Sequence, residues 1–215
     1  MQQSAIRMQP CPVHVRVREP SVHTHGDGAA GHRRLGNNRL TSISAIGKVS
    51  KLRNLDVSHN RLVSLPETIG SLCKLTELWA FSNLLESLPV EVGGLIGFFE
   101  LHVAHNRLAS LPEAVGSLIA LQELHVAHNR LKSLSEAVGA LPKLHTLFAA
   151  SNELNELPNA MRNLYHLDIR SNRFDRLPDF VAELPDLCDI DVSFNKLLAL
   201  PEAWDSKECD DELIV

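Results

Sequence analysis

Hydrophobic and polar positions follow a short pattern that recurs along the chain. Within residues 121–141, Leu124 and Val126 alternate with polar or small residues, and Leu131 and Leu134 follow at wider spacing. Alternation with period two predicts a strand that buries one face, and the wider spacing predicts a connecting segment. Each stretch therefore predicts one strand followed by one return segment.

This pattern is an internal repeat. Residues 100–108 have the sequence ELHVAHNRL, and the same nine letters occur again at residues 123–131, 23 positions later. A unit of this size cannot bury its apolar face alone, so the regular spacing predicts stacked units that form a solenoid. One asparagine near the end of each strand marks the eight units: Asn38, Asn60, Asn83, Asn106, Asn129, Asn152, Asn172 and Asn195.

These eight asparagines predict a structural ladder. An asparagine amide both donates and accepts hydrogen bonds, so it can satisfy backbone groups that are left unpaired where the chain turns into the core. Because the residue recurs in every unit, we expect the side chains to stack from repeat to repeat.

The return segments determine the fold class. Equivalent connections predict that all strands run parallel in one sheet, with the return segments on its opposite side. Most return segments begin with proline and are long enough for only one or two helical turns. The predicted fold is an α/β solenoid, a curved horseshoe with a concave parallel β-sheet and short helical or extended convex segments. A glycine in five return segments predicts a helix end or tight turn with positive φ: Gly47, Gly70, Gly93, Gly116 and Gly139.

The chain divides into three predicted parts. Residues 1–31 are rich in proline, glycine and histidine and predict a flexible leader, although Val13, Val15 and Val17 alternate with polar residues and could cap the exposed sheet edge as an extra strand. Residues 32–203 form the repeat domain, and residues 204–215 form a tail. The unit between Asn152 and Asn172 shortens to 20 residues, which predicts an extended rather than helical convex side.

The unit L-x-x-L-x-V-x-x-N-x-L-x-x-L-P-x-x-V-G-x-L resembles the 23-residue leucine-rich repeat of intracellular proteins, over about residues 33–201. The resemblance is strongest to Ras-signalling scaffolds and to plant intracellular Ras-group proteins. It implies a protein-binding adaptor, and it implies signalling through a small GTPase.

Composition limits the other function classes. The net charge is −5 and the basic residues are scattered, so the sequence does not predict a nucleic-acid-binding face. No apolar run is long enough to span a bilayer. The cysteines Cys11, Cys73, Cys188 and Cys209 lack paired spacing, which predicts reduced thiols and an intracellular, cytoplasmic setting. The sequence does not indicate an oligomeric state.

Outward strand positions predict the binding surface. Because equivalent residues of neighbouring repeats lie side by side, a central row contains Trp79, His102, His125, Phe148 and then Asp168. Exposed aromatic residues surrounded by charge are typical anchors of protein interfaces. We therefore predict partner contacts at this row and at four residues beside it: Phe81, Phe99, Tyr165 and Arg170. An alternative for Phe81 and Phe99 is that they lean sideways as filler between repeats.

A row of acidic residues flanks the central row. Glu77, Glu100 and Glu123 are predicted neighbours, and adjacent like charges are costly unless a basic group neutralises them. This row predicts a basic patch on the partner. The alternative is a solvated acidic row that maintains solubility.

The histidines raise the question of a metal centre. His102 and His125 lie near Glu100 and Glu123, and these are suitable ligand types. The pairs arise from repeat duplication, however, and no catalytic motif accompanies them, so we predict no metal site, no cofactor and no catalytic residue. The favoured hypothesis is a non-enzymatic adaptor. The alternatives are a structural spacer or fragment of a larger repeat protein and, less favoured, a histidine-based metal-dependent enzyme.

Overall fold

The computed structural model describes residues 31–204. The predicted strand at Val13, Val15 and Val17 lies outside these residues, as do almost all of the predicted leader and tail. Within the described part of the chain, one sheet contains eight parallel strands in sequence order. This architecture confirms the predicted solenoid of about eight repeats. The strands are β1 (His32–Arg34), β2 (Asn54–Asp56), β3 (Glu77–Trp79), β4 (Glu100–His102), β5 (Glu123–His125), β6 (Thr146–Phe148), β7 (His166–Asp168) and β8 (Asp189–Asp191).

Each strand from β2 to β8 buries its middle residue, and its last residue is half-buried on the concave surface. The first residue is also half-buried in each of these strands except β6. Leu55, Leu124 and Leu147 are completely buried, and they stack on the leucines of the return segments. Phe98 and Phe174 also lie in this core, at sites where other repeats have leucine. Burial of a leucine side chain stabilises the fold by roughly 1.5–3 kcal/mol, so this continuous stack holds the repeats together.

The asparagines connect each repeat to the one before it. The Asn106 side-chain oxygen accepts a hydrogen bond of 2.9 Å from the backbone N–H of Leu85, and its amide nitrogen donates to the Ala80 carbonyl at 3.0 Å. The same nitrogen donates to the Val103 carbonyl of its own repeat at 3.0 Å. Equivalent bonds from the preceding repeat reach the asparagines from Asn60 to Asn195. Within residues 31–204, the side chain of Asn38, in the first repeat, donates to the Leu35 and Gly36 carbonyls of its own repeat.

The convex side consists of very short helical segments. Within residues 31–204, five are 3-10 turns, at Ser44–Lys48, Glu67–Ser71, Val90–Gly94, Glu113–Ser117 and Glu202–Trp204. Two are single-turn α-helices, α1 (Glu136–Gly139) and α2 (Asp179–Glu183). Pro66, Pro89 and Pro112 precede three of the turns in an extended conformation, which suits proline because its φ is restricted.

The prediction of positive φ at the repeated glycines is wrong. Among the described residues, Gly31 is the single glycine with positive φ. The repeated glycines are needed for close approach instead: a Cβ on Gly70 would overlap the backbone carbonyl of Glu91 in the next repeat, and a Cβ on Gly93 would lie 2.8 Å from the Ala114 carbonyl. Glycine therefore allows consecutive convex turns to pack at backbone distance.

Positive φ occurs on the other side of the repeat, at the residue immediately before each ladder asparagine. All eight φ values lie between 51° and 57°, in the left-handed region that non-glycine residues seldom occupy. This conformation turns the chain inward so that the asparagine reaches the core. The residues are Asn37, His59, Ser82, His105, His128, Ser151, Ser171 and Phe194.

The shortened repeat and the two ends depart from the regular unit. No helical segment occurs between β6 and β7, which confirms the predicted extended convex side, and Leu157 and Met161 fill the core there. In β1, Arg33 occupies the inward position and is exposed. In the last repeat, Phe194 is 76% exposed and Leu198 is 92% exposed. These end repeats lack the complete packing of the interior ones.

Candidate functional site

The sheet register places the predicted central row in one line across the concave face. Trp79 lies opposite His102, His102 opposite His125, and His125 opposite Phe148. Parallel strands in this register present equivalent side chains at neighbouring positions, about 4.8 Å apart. We call Trp79, His102, His125 and Phe148 the ring row. Asp56 and Asp168 continue the line at its two ends.

The four rings of the ring row contact one another in sequence. The Trp79 and His102 rings meet edge-on with centroids 6.4 Å apart. His102 and His125 stack almost parallel at 3.8 Å, and Phe148 lies 4.7 Å from His125 in a tilted arrangement. Because each ring covers part of its neighbour, the four side chains are half-buried rather than fully exposed. The row is thus a continuous strip of aromatic surface.

The acidic row lies directly beside the ring row. Glu77, Glu100 and Glu123 are neighbours in the register, as predicted from the repeat. Glu123 accepts a 3.0 Å hydrogen bond from His125, and the Glu100 carboxylate lies 3.4 Å from the His102 Nε2. Two of the three acids therefore have an imidazole of the chain itself within reach, as the sequence analysis expected for Glu100 and Glu123.

The surroundings of the acidic row shift the pKa values of Glu77 and Glu123 in opposite directions. Burial raises the pKa of Glu77, and the neighbouring Glu100 charge raises it further. The hydrogen bond from His125 lowers the pKa of Glu123 despite its burial. Burial in turn lowers the pKa of His125, although its bond to Glu123 acts in the opposite direction. At neutral pH an ionised Glu123 carboxylate therefore lies beside a neutral His125 ring.

The predicted contacts at Asp168 and Arg170 form a small charged group in the later repeats. Arg170 lies 3.4 Å from the Asp168 carboxylate and 3.5 Å from that of Asp191. Burial raises the pKa of Asp168. The Arg170 side chain is half exposed, so its guanidinium remains accessible from solvent while it pairs with both acids.

Phe81, Phe99 and Tyr165 lie in rows beside the ring row and are also half-buried. Phe81 packs edge-on against His59 of the preceding repeat at 5.0 Å, which agrees with the alternative that it leans sideways. Phe99 is joined through backbone hydrogen bonds to Thr76 and Gln122. The structure therefore places these three residues around the ring row and not within it.

A depression of about 410 Å³ opens beside the shortened repeat and includes residues that the sequence analysis did not select. Tyr165, which was selected, lines it together with His145, Asn163 and His166. His166 Nδ1 lies 3.1 Å from the Asp189 carboxylate. The 20-residue unit was the sequence signal that could have indicated this depression, because a shorter repeat places fewer residues at the edge of the sheet.

The histidines form two stacked pairs with different surroundings. His102 and His125 lie beside the acidic row, and ligand atoms of His102, Glu123 and His125 are all within 4.8 Å of one another. His105 and His128 stack at 4.1 Å next to the asparagine ladder. Burial and the nearby His128 lower the pKa of His105. The duplication thus produces two similar pairs, of which the first adjoins carboxylates.

A family model described as a leucine-rich repeat region matches residues 33–154. The chain belongs to the leucine-rich repeat family. Proteins of this family generally serve as non-enzymatic interaction modules, and the fold indicates a role in protein–protein interaction. No curated protein sequence matches the chain significantly.

Three solved structures illustrate the similarity. A leucine-rich repeat protein of Leptospira interrogans shares 30% identity at a TM-score of 0.77, covering 80% of this chain and 45% of that one. The plant peptide hormone receptor RGFR1 in complex with RGF2 shares 27% identity at 0.70, covering 77% of this chain and 28% of the receptor. The leucine-rich effector YopM of Yersinia pestis shares 31% identity at 0.63, covering 74% and 42%.

This leucine-rich repeat chain spans less than half the length of each of those structures. Within residues 31–204, no helix has the length and apolar character needed to cross a membrane. Cys73, in the same region, is an exposed free thiol.

Proposed function

We propose that this chain is a non-enzymatic adaptor or scaffold that binds a protein partner on its concave face. The observation that carries the proposal is the ring row, in which four rings from four consecutive repeats form one continuous strip. Interface anchors are typically aromatic side chains that are already ordered and need little further immobilisation on binding. Trp79 and Phe148, at the two ends of the strip, are the principal anchors.

Charge near the ring row specifies the kind of partner. Glu77, Glu100 and Glu123 border one side of the strip, and Asp168 follows at its end. The Glu100 and Glu123 carboxylates are partly exposed, so a cationic side chain of the partner can reach them. A partner with apolar groups for the ring row and a basic patch for the acidic row fits this face best.

The setting and pathway follow from the resemblance of the 23-residue repeat to intracellular signalling scaffolds. We place the protein in the cytoplasm and its partner in small-GTPase signalling. The RGFR1 complex supports a polypeptide ligand in general terms, since RGFR1 is a peptide hormone receptor. A partner in small-GTPase signalling is the most specific part of the proposal.

The ring row is tested by the double substitution Trp79→Ala with Phe148→Ala. Truncating two interface anchors typically costs several kcal/mol of binding free energy, so partner affinity should fall at least a hundredfold. Affinity capture from cell extract with wild-type and variant protein, compared by mass spectrometry, identifies which proteins depend on the row. Recovery of a small GTPase or its regulator in the dependent set would support the pathway.

The matched control removes two apolar side chains from the other side of the repeats. Ile96 and Ile119 are 61% and 58% exposed in the loops after the convex turns, and Ile96→Ala with Ile119→Ala should leave capture unchanged. Equal loss in both double variants, or unchanged capture with the ring-row variant, would contradict binding through the concave face. Thermal unfolding of each variant shows whether the fold persists.

A further inference from the structure

Beyond the proposed function, we propose that His102, Glu123 and His125 form a binding site for a divalent transition metal such as Zn²⁺ or Co²⁺. The site bridges two consecutive repeats: β4 supplies His102, and β5 supplies Glu123 and His125. Two imidazole nitrogens and one carboxylate oxygen converge within 4.8 Å. The sequence analysis predicted no metal here because duplication alone explains the histidines, but it could not show that their ligand atoms meet.

The spacing of the ligand atoms is close to that of a coordination sphere. Zinc binds imidazole nitrogen and carboxylate oxygen at about 2.0–2.2 Å in a tetrahedron, which places neighbouring ligand atoms about 3.3 Å apart. The His125 Nε2 and the Glu123 Oε2 are already 3.0 Å apart. A metal ion can take the place of the proton between them with a small outward shift. The His102 ring has to rotate out of its parallel stack with His125 to bring its nitrogen to the same ion.

The His102 nitrogen supplies a second, independent observation. Its Nε2 atom is buried and has no hydrogen-bond partner within the described residues. The Glu100 carboxylate lies 3.4 Å away, which qualifies as an ion-pair contact if the ring is charged but lacks the geometry of a hydrogen bond. A buried unpaired polar atom costs free energy that a ligand can recover.

The charge of the cluster suits a cation. Metal ions bind neutral imidazoles and ionised carboxylates, and the site combines two imidazoles with the Glu123 carboxylate. Glu100 adds a further negative charge close to His102.

The donor set also selects the class of metal. Two nitrogens and one oxygen favour zinc and the neighbouring first-row ions, whereas Ca²⁺ and Mg²⁺ prefer oxygen ligands alone. Three protein ligands leave at least one position for water or a partner group on the concave face. The site would therefore lie at the centre of the ring row without being required for partner binding.

The second stacked pair provides a matched control. His105 and His128 have almost the same ring separation, 4.1 Å against 3.8 Å, and come from the same two repeats. Within residues 31–204, the three-ligand cluster found is the one at His102, Glu123 and His125. Histidine stacking alone would make both pairs equivalent, whereas the carboxylate makes them different.

Trp79 offers a site-specific readout. Its ring centroid lies 6.4 Å from that of His102, so paramagnetic Co²⁺ bound at the site should quench its fluorescence. The experiment uses the full chain with Trp204→Phe, which leaves Trp79 as the single tryptophan. Titration with Co²⁺ at pH 7.5 should give saturable quenching, and Zn²⁺, which has a filled d shell, should reverse it by competition.

Two double variants decide the result. His102→Gln with His125→Gln should weaken quenching by Co²⁺ at least tenfold, and His105→Gln with His128→Gln should leave the affinity within twofold. Glu123→Gln alone should weaken binding as well. The proposal would be overturned if Co²⁺ quenched the wild type and the variant without His102 and His125 equally. An equal loss of Co²⁺ affinity in both double variants would also overturn it. Circular dichroism establishes that each variant is folded, and the leader histidines are present in all of them.

Discussion

At the scale of single residues, the ladder asparagines have the clearest energetic role. Asn106→Ala would leave the N–H of Leu85 buried without a partner, and it would remove one of two bonds to the Ala80 carbonyl, which still accepts from Asn83. The unsatisfied N–H costs about 1–3 kcal/mol and the lost bond to Ala80 about 0.5–1.5 kcal/mol, so we expect the free energy of unfolding to fall by about 2–4 kcal/mol. Chemical denaturation monitored by circular dichroism measures this change.

The control for Asn106 is the first member of the same ladder. The Asn38 side chain is exposed and, among the described residues, donates to the Leu35 and Gly36 carbonyls of its own repeat, so Asn38→Ala should cost under about 1 kcal/mol. An equal decrease in the free energy of unfolding for the two substitutions would mean that the asparagine bonds between repeats add no stability beyond the bonds within one turn.

The histidines next to the ladder make a prediction about pH. Burial and the neighbouring His128 lower the pKa of His105 in the folded chain. The unfolded chain therefore binds this proton first as the pH falls through the ordinary histidine pKa of about 6.5, and the free energy of unfolding decreases. It levels off below the lowered pKa of the folded state.

The His105 contribution appears as a difference in slope. Between pH 7.5 and 5.5, the stability of His105→Gln should fall less steeply than that of the wild type in urea denaturation. His128→Gln should also flatten the curve, because it removes the nearby imidazole. Parallel curves for all three proteins would show that this pair does not contribute to the pH dependence.

At the scale of elements, the convex turns are limited by how closely their backbones pack. Gly70→Ala would drive a Cβ into the Glu91 carbonyl of the next repeat, where the backbone cannot move aside easily. Overpacking of this kind typically costs about 1–3 kcal/mol, and thermal unfolding should show a lower Tm.

Gly97 is the matched position for this test. It lies in the loop after the turn Val90–Gly94, and a Cβ there would meet nothing within 4 Å. Gly97→Ala should therefore raise stability by about 0.4–1 kcal/mol, because alanine restricts the unfolded chain. A similar Tm for both variants would rule out close packing of the turns as the reason for the repeated glycine.

At the scale of the whole molecule, the solenoid separates structural and binding roles onto different surfaces. The leucines and asparagines interact with adjacent repeats, whereas the ring row and acidic row face the concave side. Because repeats contact mainly their neighbours, a concave substitution such as Trp79→Ala should affect binding more than stability. The shortened repeat changes the regular edge and opens the depression near Tyr165.

The sequence by itself determined the solenoid, the strand positions and the register, because the regular repeat places equivalent residues side by side on neighbouring strands. Glu100 and Glu123, or His102 and His125, could thus be paired without coordinates. Only the tertiary structure decided how far the rings cover one another, since ring orientation depends on side-chain rotamers and on the neighbouring repeat.

Tertiary packing also decided two features that the repeat pattern could not show. The repeat pattern predicted positive φ for the glycines at the convex turns. Position 70 instead requires glycine because the backbone of Glu91 in the next turn leaves no room for a Cβ. His102, Glu123 and His125 lie on two separate strands, and their ligand atoms converge because the side chains lean toward one another. Residue spacing specifies which backbones are adjacent, but three-dimensional packing determines the distances between their atoms.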